Sequence, residues 1–128
     1  MAAKSVAYSD SASGVYVSTE LFQKLGIGDA MKDKARKIPA TPVGEIVARG
    51  DAEIGFQQIS EMLPVAGVDI VGPLPPELQQ ITVFSAGIAT VSKEPEAGKA
   101  LISFLASPAA RDAIIKSGME PITAGATK

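Results

Sequence analysis

Short apolar runs alternate with stretches of helical period along this chain, and glycine or proline stands at nearly every junction. No other feature constrains the fold as much. A chain that keeps passing from strand to helix lays its strands side by side in one direction, so an α/β fold with a mostly parallel sheet flanked by helices is expected. Ser5–Ser9 (SVAYS) reads as a buried strand and Asp10–Ser13 as a loop. Val17, Leu21 and Leu25 then recur at every fourth position with Phe22 beside them, an amphipathic helix that Gly26 stops. Asp29–Arg36 reads as a short charged helix and Lys37–Ala40 as a short strand. Thr41-Pro42 has the grammar of a helix start, a hydroxyl cap followed by proline at the first helical position. Val43, Ile46 and Val47 form the buried side of that helix, and Gly50 ends it.

The second half continues the pattern. Ala52–Gln57 reads as a core strand in which Gly55 marks a close backbone approach. Ser60–Leu63 is a brief helix, Val68–Val71 a buried strand, and Ile81–Ser92 the longest strand-like run. Pro95–Leu105 is expected to be a helix with Ala97, Leu101, Phe104 and Leu105 on its apolar face. Ser107-Pro108 opens a last helix that Gly118 closes, and the small, polar tail Ile122–Lys128 is expected to fray.

Composition narrows the function. A chain of 128 residues can build one domain with a real core, and 46% hydrophobic with 20% charged residues suits a globular protein. A net charge of −2 argues against nucleic acid as a partner, because counterion displacement needs a basic face. No apolar run approaches the roughly 20 residues that span a bilayer. Met1-Ala2-Ala3-Lys4 leads straight into folded-looking sequence, so no signal peptide is expected in this chain. The chain has no Cys and no His, which removes thiolate chemistry, the commonest general base and the commonest metal ligand. Asp29, Asp33, Glu45 and Glu61 are scattered and read as a solvated face. No catalytic residue, metal or cofactor is expected, and the chain reads as a binder rather than an enzyme.

Three places could hold a ligand. The first is Asp10-Ser11-Ala12-Ser13-Gly14, between strand and helix. Free N–H groups at a helix start carry partial positive charge, Ser11 and Ser13 add hydroxyl donors, and Gly14 opens the backbone to an anion. The second is the helix start at Val43, with its free amide. Taken alone, ordinary capping is the plainer reading of both. The third is Gln57-Gln58, at a strand's C-terminal end, where open α/β sheets bind ligands; a surface loop would look the same.

Four segments, taken in order, carry a resemblance: VAYSDSASGVYVSTELFQKLGI, PVGEIVARGDAEIGF, VDIVGPLPPELQQITVFSAGIATVS and ALISFLASPAARDAIIKSGMEP. Together they resemble the back half of type II periplasmic solute-binding proteins of the molybdate-binding kind, over Ser5 to Pro121. The resemblance implies that residues 5–80 are most of the second, ligand-binding lobe and 81–92 the return strand. Residues 93–121 would be the C-terminal helix pair of the first lobe, and 122–128 a tail. It implies capture of a small, molybdate-like oxyanion by neutral donors, in a periplasmic parent that serves an ABC permease. Ser13, Gly14 and the Val43 amide fall at the family's donor positions. Gln58 stands where molybdate binders carry a Tyr, which suits an organic or phosphorylated acid as well. Family members are roughly twice as long, so the chain reads as a fragment that binds its ligand weakly. Its uncovered C-terminal helices would pair two copies into a homodimer over Ile81–Ser117. Reuse of the fold for protein contacts, antigen-like, is an alternative. An effector-sensing role is weakened by the absence of a helix-turn-helix pattern.

Overall fold

The computed structural model describes residues 3–122, and the chain divides into two compact units, Met1–Thr82 and Val83–Lys128. The first unit is built on a three-stranded parallel sheet in the order β2-β1-β3. β1 is Val6–Ser9, β2 Ala35–Ile38 and β3 Ile54–Phe56. β1 pairs with β2 from Val6 opposite Ala35 to Ser9 opposite Ile38, and with β3 from Val6 opposite Ile54 to Tyr8 opposite Phe56. Period-two alternation sends the β1 side chains to two faces. Val6 and Tyr8 pack with Tyr16, Val17, Leu21, Phe22 and Met31 on one side, while Ala7 packs with Val43 and Ala52 on the other. Helices therefore cover both faces, as the strand–helix alternation leads one to expect.

The first helix starts as α1 (Ala12–Tyr16), continues through a π-helical stretch (Val17–Leu21) and ends as α2 (Phe22–Lys24). The hydroxyls of Ser18 and Thr19 donate to the carbonyls of Gly14 and Val15 at 2.9 and 2.7 Å, just where the ladder widens. Of the expected apolar stripe, Val17, Leu21 and Phe22 are buried while Leu25 is exposed. Gly26, at φ 65°, ends the helix in a Schellman turn: its N–H reaches Gln23 O and that of Ile27 reaches Phe22 O, both at 2.9 Å. The same turn closes α4 (Val43–Ala48) at Gly50 and α7 (Arg111–Lys116) at Gly118.

Gly14 and Gly55 are fixed by packing. A Cβ on Gly14 would land on the Ser9 carbonyl oxygen, so only glycine lets the helix start this close to β1. A Cβ on Gly55 would lie 2.8 Å from Val43 Cγ1 and 2.9 Å from Val47 Cγ2, which shows α4 seated directly on β3. The close approach expected at Gly55 is thus a helix, not a ligand.

Several boundaries differ from expectation. The charged helix expected over Asp29–Arg36 is only α3 (Gly28–Met31), and Ala35 and Arg36 join β2. Register explains this: parallel pairing with Val6 starts the strand at Ala35, two residues before the expected Lys37. Proline 42 is itself the cap residue of α4, with ψ 128°, so Val43 rather than Pro42 is the first helical residue and Thr41 does not cap. The brief helix expected after β3 is α5 (Ile59–Met62).

Two expected strands are not formed. Val68–Val71 and Ile81–Ser92 lie in turns and irregular backbone, and Ile70, Val71, Ile81, Val83, Phe84 and Val91 are exposed. An apolar run becomes a strand only where a neighbour completes its hydrogen-bond ladder, and no ladder partner for either run is found among the described residues. In the second unit, α6 spans Pro95–Leu105 as expected, with Leu101, Phe104 and Leu105 exposed. A 3₁₀ turn (Pro108–Ala110) leads into α7. Residues 123–128 of the tail expected to fray lie outside the described residues. No described helix is long and apolar enough to cross a membrane.

Candidate functional site

In a parallel sheet the C-terminal ends of all strands share one edge, and the loops that leave them meet there. Here β1 lies between β2 and β3, so the chain leaves β1 toward one side and later returns on the other. This is a topological switch point, the place where open α/β sheets form a crevice. An open cleft of about 400 Å³ lies at this edge. It is lined by Ser9, Asp10 and Ser11 after β1, by Ala40, Thr41 and Pro42 after β2, and by Gln57 and Glu61 after β3. The residues that precede the two helices, Ser11 and Pro42, thus line one cleft, whereas Ser13, Gly14, Val43 and Gln58 are not part of its lining.

The serines form a closed triangle. Ser9 Oγ lies 2.7 Å from Ser11 Oγ and 3.1 Å from Ser13 Oγ, and Ser11 Oγ lies 3.1 Å from Ser13 Oγ. Ser9 is buried at 4% exposure, Ser13 is half-buried and Ser11 faces solvent at the cap of α1. Three protons serve three contacts, so the closed triangle holds every hydroxyl in place and leaves lone pairs outward; a ligand acceptor is met only where one of these contacts opens. Ser9, which sequence reasoning passed over, anchors the group. Its signal was present: it ends a strand two and four residues before the two serines. Gly14 is buried behind them, its open side filled by the Ser9 carbonyl.

The other loops are arranged differently from the sequence reading. The Val43 N–H donates to Gln57 Oε1 at 2.7 Å, so an internal acceptor engages the amide expected to meet an anion. Gln58 caps α5, and its Nε2 donates to Ser60 Oγ at 2.7 Å; Gln57, not Gln58, lines the cleft. Ala40 sits at φ 55°, left-handed backbone that costs a non-glycine residue on the order of 1–2 kcal/mol. Strain of this kind is often held at ligand-binding loops.

Two carboxylates, Asp10 and Glu61, complete the lining. Among the described residues neither has an ion-pair partner, and no Lys or Arg lines the cleft. Glu61 also lines a second hollow beside it, with Glu45, Arg49 and Val65 among others. No group of acidic residues suited to a metal occurs among the described residues. The cleft thus offers hydroxyls, the Gln57 side chain and two carboxylates.

A search of curated proteins finds a Pseudomonas protein named aconitate isomerase, 51% identical over 122 residues. The match covers 95% of this chain and 47% of that protein, so the chain spans about half the length of the curated relative it matches. No solved structure matches. The relative's name is that of an enzyme and overturns the expectation of a protein without catalysis. That expectation leaned on the missing His and Cys, yet carboxylates also move protons, and two of them face this cleft. The family described as bacterial extracellular solute-binding protein matches residues 2–120. With that match over nearly its whole length, the chain belongs to the bacterial extracellular solute-binding protein family.

Proposed function

We propose that the cleft at the C-terminal edge of the sheet receives aconitate or a closely related small polycarboxylate, and that the full-length protein interconverts its isomers outside the cytoplasm. The observation that carries this reading is the 51% identity, over 95% of the chain, to a protein named aconitate isomerase. The cleft's chemistry supports it. The Thr41 hydroxyl suits a carboxylate oxygen, as does that of Ser11 where it turns out of the triangle, and a volume near 400 Å³ falls in the range of small organic ligands.

This reading replaces molybdate as the ligand. Asp10 and Glu61 repel an oxyanion and a polycarboxylate alike, but an oxyanion gives them no other part to play, and the Val43 amide expected to bind it is already engaged by Gln57. A carbon acid such as aconitate gives a neighbouring carboxylate a task. Aconitate carries three carboxylates, and no Lys or Arg lines the cleft. Under this reading the balancing cations come from the part of the relative's length that this chain does not span.

The test is calorimetry and proton NMR on the full-length protein with aconitate and with molybdate. Binding of aconitate with interconversion of its isomers is the expected result. Molybdate binding without any aconitate binding would restore the oxyanion reading. A second reading, capture of the acid for import without turnover, draws on the family's solute-binding description. Binding with no interconversion would select it.

A further inference from the structure

We infer that Asp10 is the group that carries the proton in this isomerisation, an assignment that rests on the aconitate reading above. The chemistry of the substrate sets the requirement. Aconitate has a CH2 flanked by a carboxylate and by the carbon–carbon double bond. Taking one proton from that CH2 breaks a C–H bond and leaves an allylic carbanion, delocalised toward the carboxylates at both ends. Returning the proton to the far end of the allyl unit forms a new C–H bond and moves the double bond by one carbon. The arm that was single-bonded is free to turn before it becomes part of the new double bond, so either geometry can result. The carboxylate gains a proton in the first step and loses it in the second; nothing is oxidised or reduced.

This chain supplies neither Cys nor His, so its own part in proton transfer falls to carboxylates and hydroxyls. Among the residues lining the cleft the remaining proton carriers are Asp10 and Glu61. The serine hydroxyls are bonded to one another, and the Gln57 carbonyl oxygen accepts the Val43 N–H. Asp10 is the better placed of the two carboxylates. Its backbone is fixed between buried Ser9, the last residue of the central strand, and Ser11, the cap of α1. Both side chains are exposed, but Glu61 stands on the four-residue helix α5 and lines the neighbouring hollow as well as the cleft. A catalytic group has to be held within a fraction of an ångström of its working position, which the end of a central strand provides and a short surface helix does not. The Thr41 hydroxyl, which also lines the cleft, would then hold a carboxylate of the substrate, and with it the CH2, against the base.

The experiment compares the full-length wild type with Asp10→Asn, Asp10→Glu and Glu61→Gln. Three quantities are read: kcat and KM for aconitate interconversion, deuterium uptake into aconitate in heavy water, and aconitate binding by calorimetry. For Asp10→Asn the account expects kcat and deuterium uptake to fall together by roughly 10²–10⁴-fold, the usual contribution of a general base. Binding is retained or tightened, because a negative charge facing a polyanion has been removed. Asp10→Glu restores part of kcat, as a displaced base can, and Glu61→Gln loses less than Asp10→Asn. Asp10→Asn keeping kcat within about threefold of wild type would overturn the assignment. So would a loss of kcat that Asp10→Glu does not relieve at all, which marks a structural role, and so would the larger loss falling on Glu61→Gln. A wild type that neither binds nor interconverts aconitate would instead remove the functional reading beneath the assignment.

Discussion

The segments Val6–Phe56 and Val68–Ile122 both carry apolar runs and helices but use them in opposite ways. In the first, Val6, Ala7, Tyr16, Val17, Leu21, Phe22, Met31, Val43 and Ala52 are buried around a sheet whose every strand has a partner. In the second, Ala110 is the buried apolar residue, while Val71, Ile81, Phe84, Val91, Leu101, Phe104 and Ile115 remain exposed. What differs is closure. The first segment contains both sides of most of its contacts: β1 brings two faces, and helices from before and after β2 cover them. From the second, Leu74 and Leu78 reach that core and the Leu78 carbonyl accepts the Tyr16 hydroxyl, while its other apolar runs and its helices keep exposed apolar faces. Hydrophobicity alone does not place a residue in a core; a complementary face must come with it.

The contrast breaks first where it is sharpest. Replacing Gly14 by Ala puts a methyl group onto the Ser9 carbonyl oxygen, and backbone cannot step aside as a side chain does. We expect a loss of at least about 3 kcal/mol in denaturant unfolding, at the level of severe overpacking. Next in size is a matched pair. Leu21→Ala removes a side chain at 0% exposure and should cost about 3 kcal/mol, whereas Leu101→Ala, at 59% exposure, should cost less than about 0.5 kcal/mol. Equal costs in thermal melts would show that the α6 face is buried in solution, and the comparison between the segments would fail.

Much of this architecture is legible in the sequence where the signal is local. Gly26, Gly50 and Gly118 each close a helix because the left-handed turn after a helix needs a residue without a Cβ, and that need does not depend on tertiary contacts. Pro95–Leu105 emerges with the expected bounds for the same reason: an N-terminal proline and a sustained helical period are local facts. Ile81–Ser92 misleads because its pattern states only that it can pair, not that a partner exists. The site was half legible. Ser11 and the residue before the second helix fall together at one edge of the sheet, since strand-end loops converge there in any parallel sheet. Gln57 and Gln58 could not be told apart, because one residue of register decides which side chain turns toward Val43. Asp10 has no local signal that separates a cleft carboxylate from an ordinary loop residue, because the loops that surround it come from distant parts of the sequence.

Smaller effects sharpen the comparison at the cleft. Gly26→Ala keeps ample space but forces alanine to φ 65°, and should cost about 1 kcal/mol in chemical denaturation. Gln57→Ala leaves the Val43 N–H without its side-chain acceptor and should also cost about 1 kcal/mol. If that substitution instead raised affinity for small oxyanions by calorimetry, the amide would be a suppressed anion donor. Smallest of all, Ala40→Gly relieves left-handed strain at the cleft and should stabilise the fold by less than about 1 kcal/mol, because the unfolded chain also gains freedom.

The central claim, that the ligand enters where the loops after β1, β2 and β3 meet, is tested most directly by amide and side-chain NMR of the isotopically labelled 128-residue chain titrated with aconitate to millimolar concentration. The account predicts shifts concentrated at Asp10, Ser11, Thr41 and the Gln57 side-chain amide, with α6 and α7 unmoved. Shifts confined to residues 83–122, or spread evenly with none at the strand ends, would contradict it.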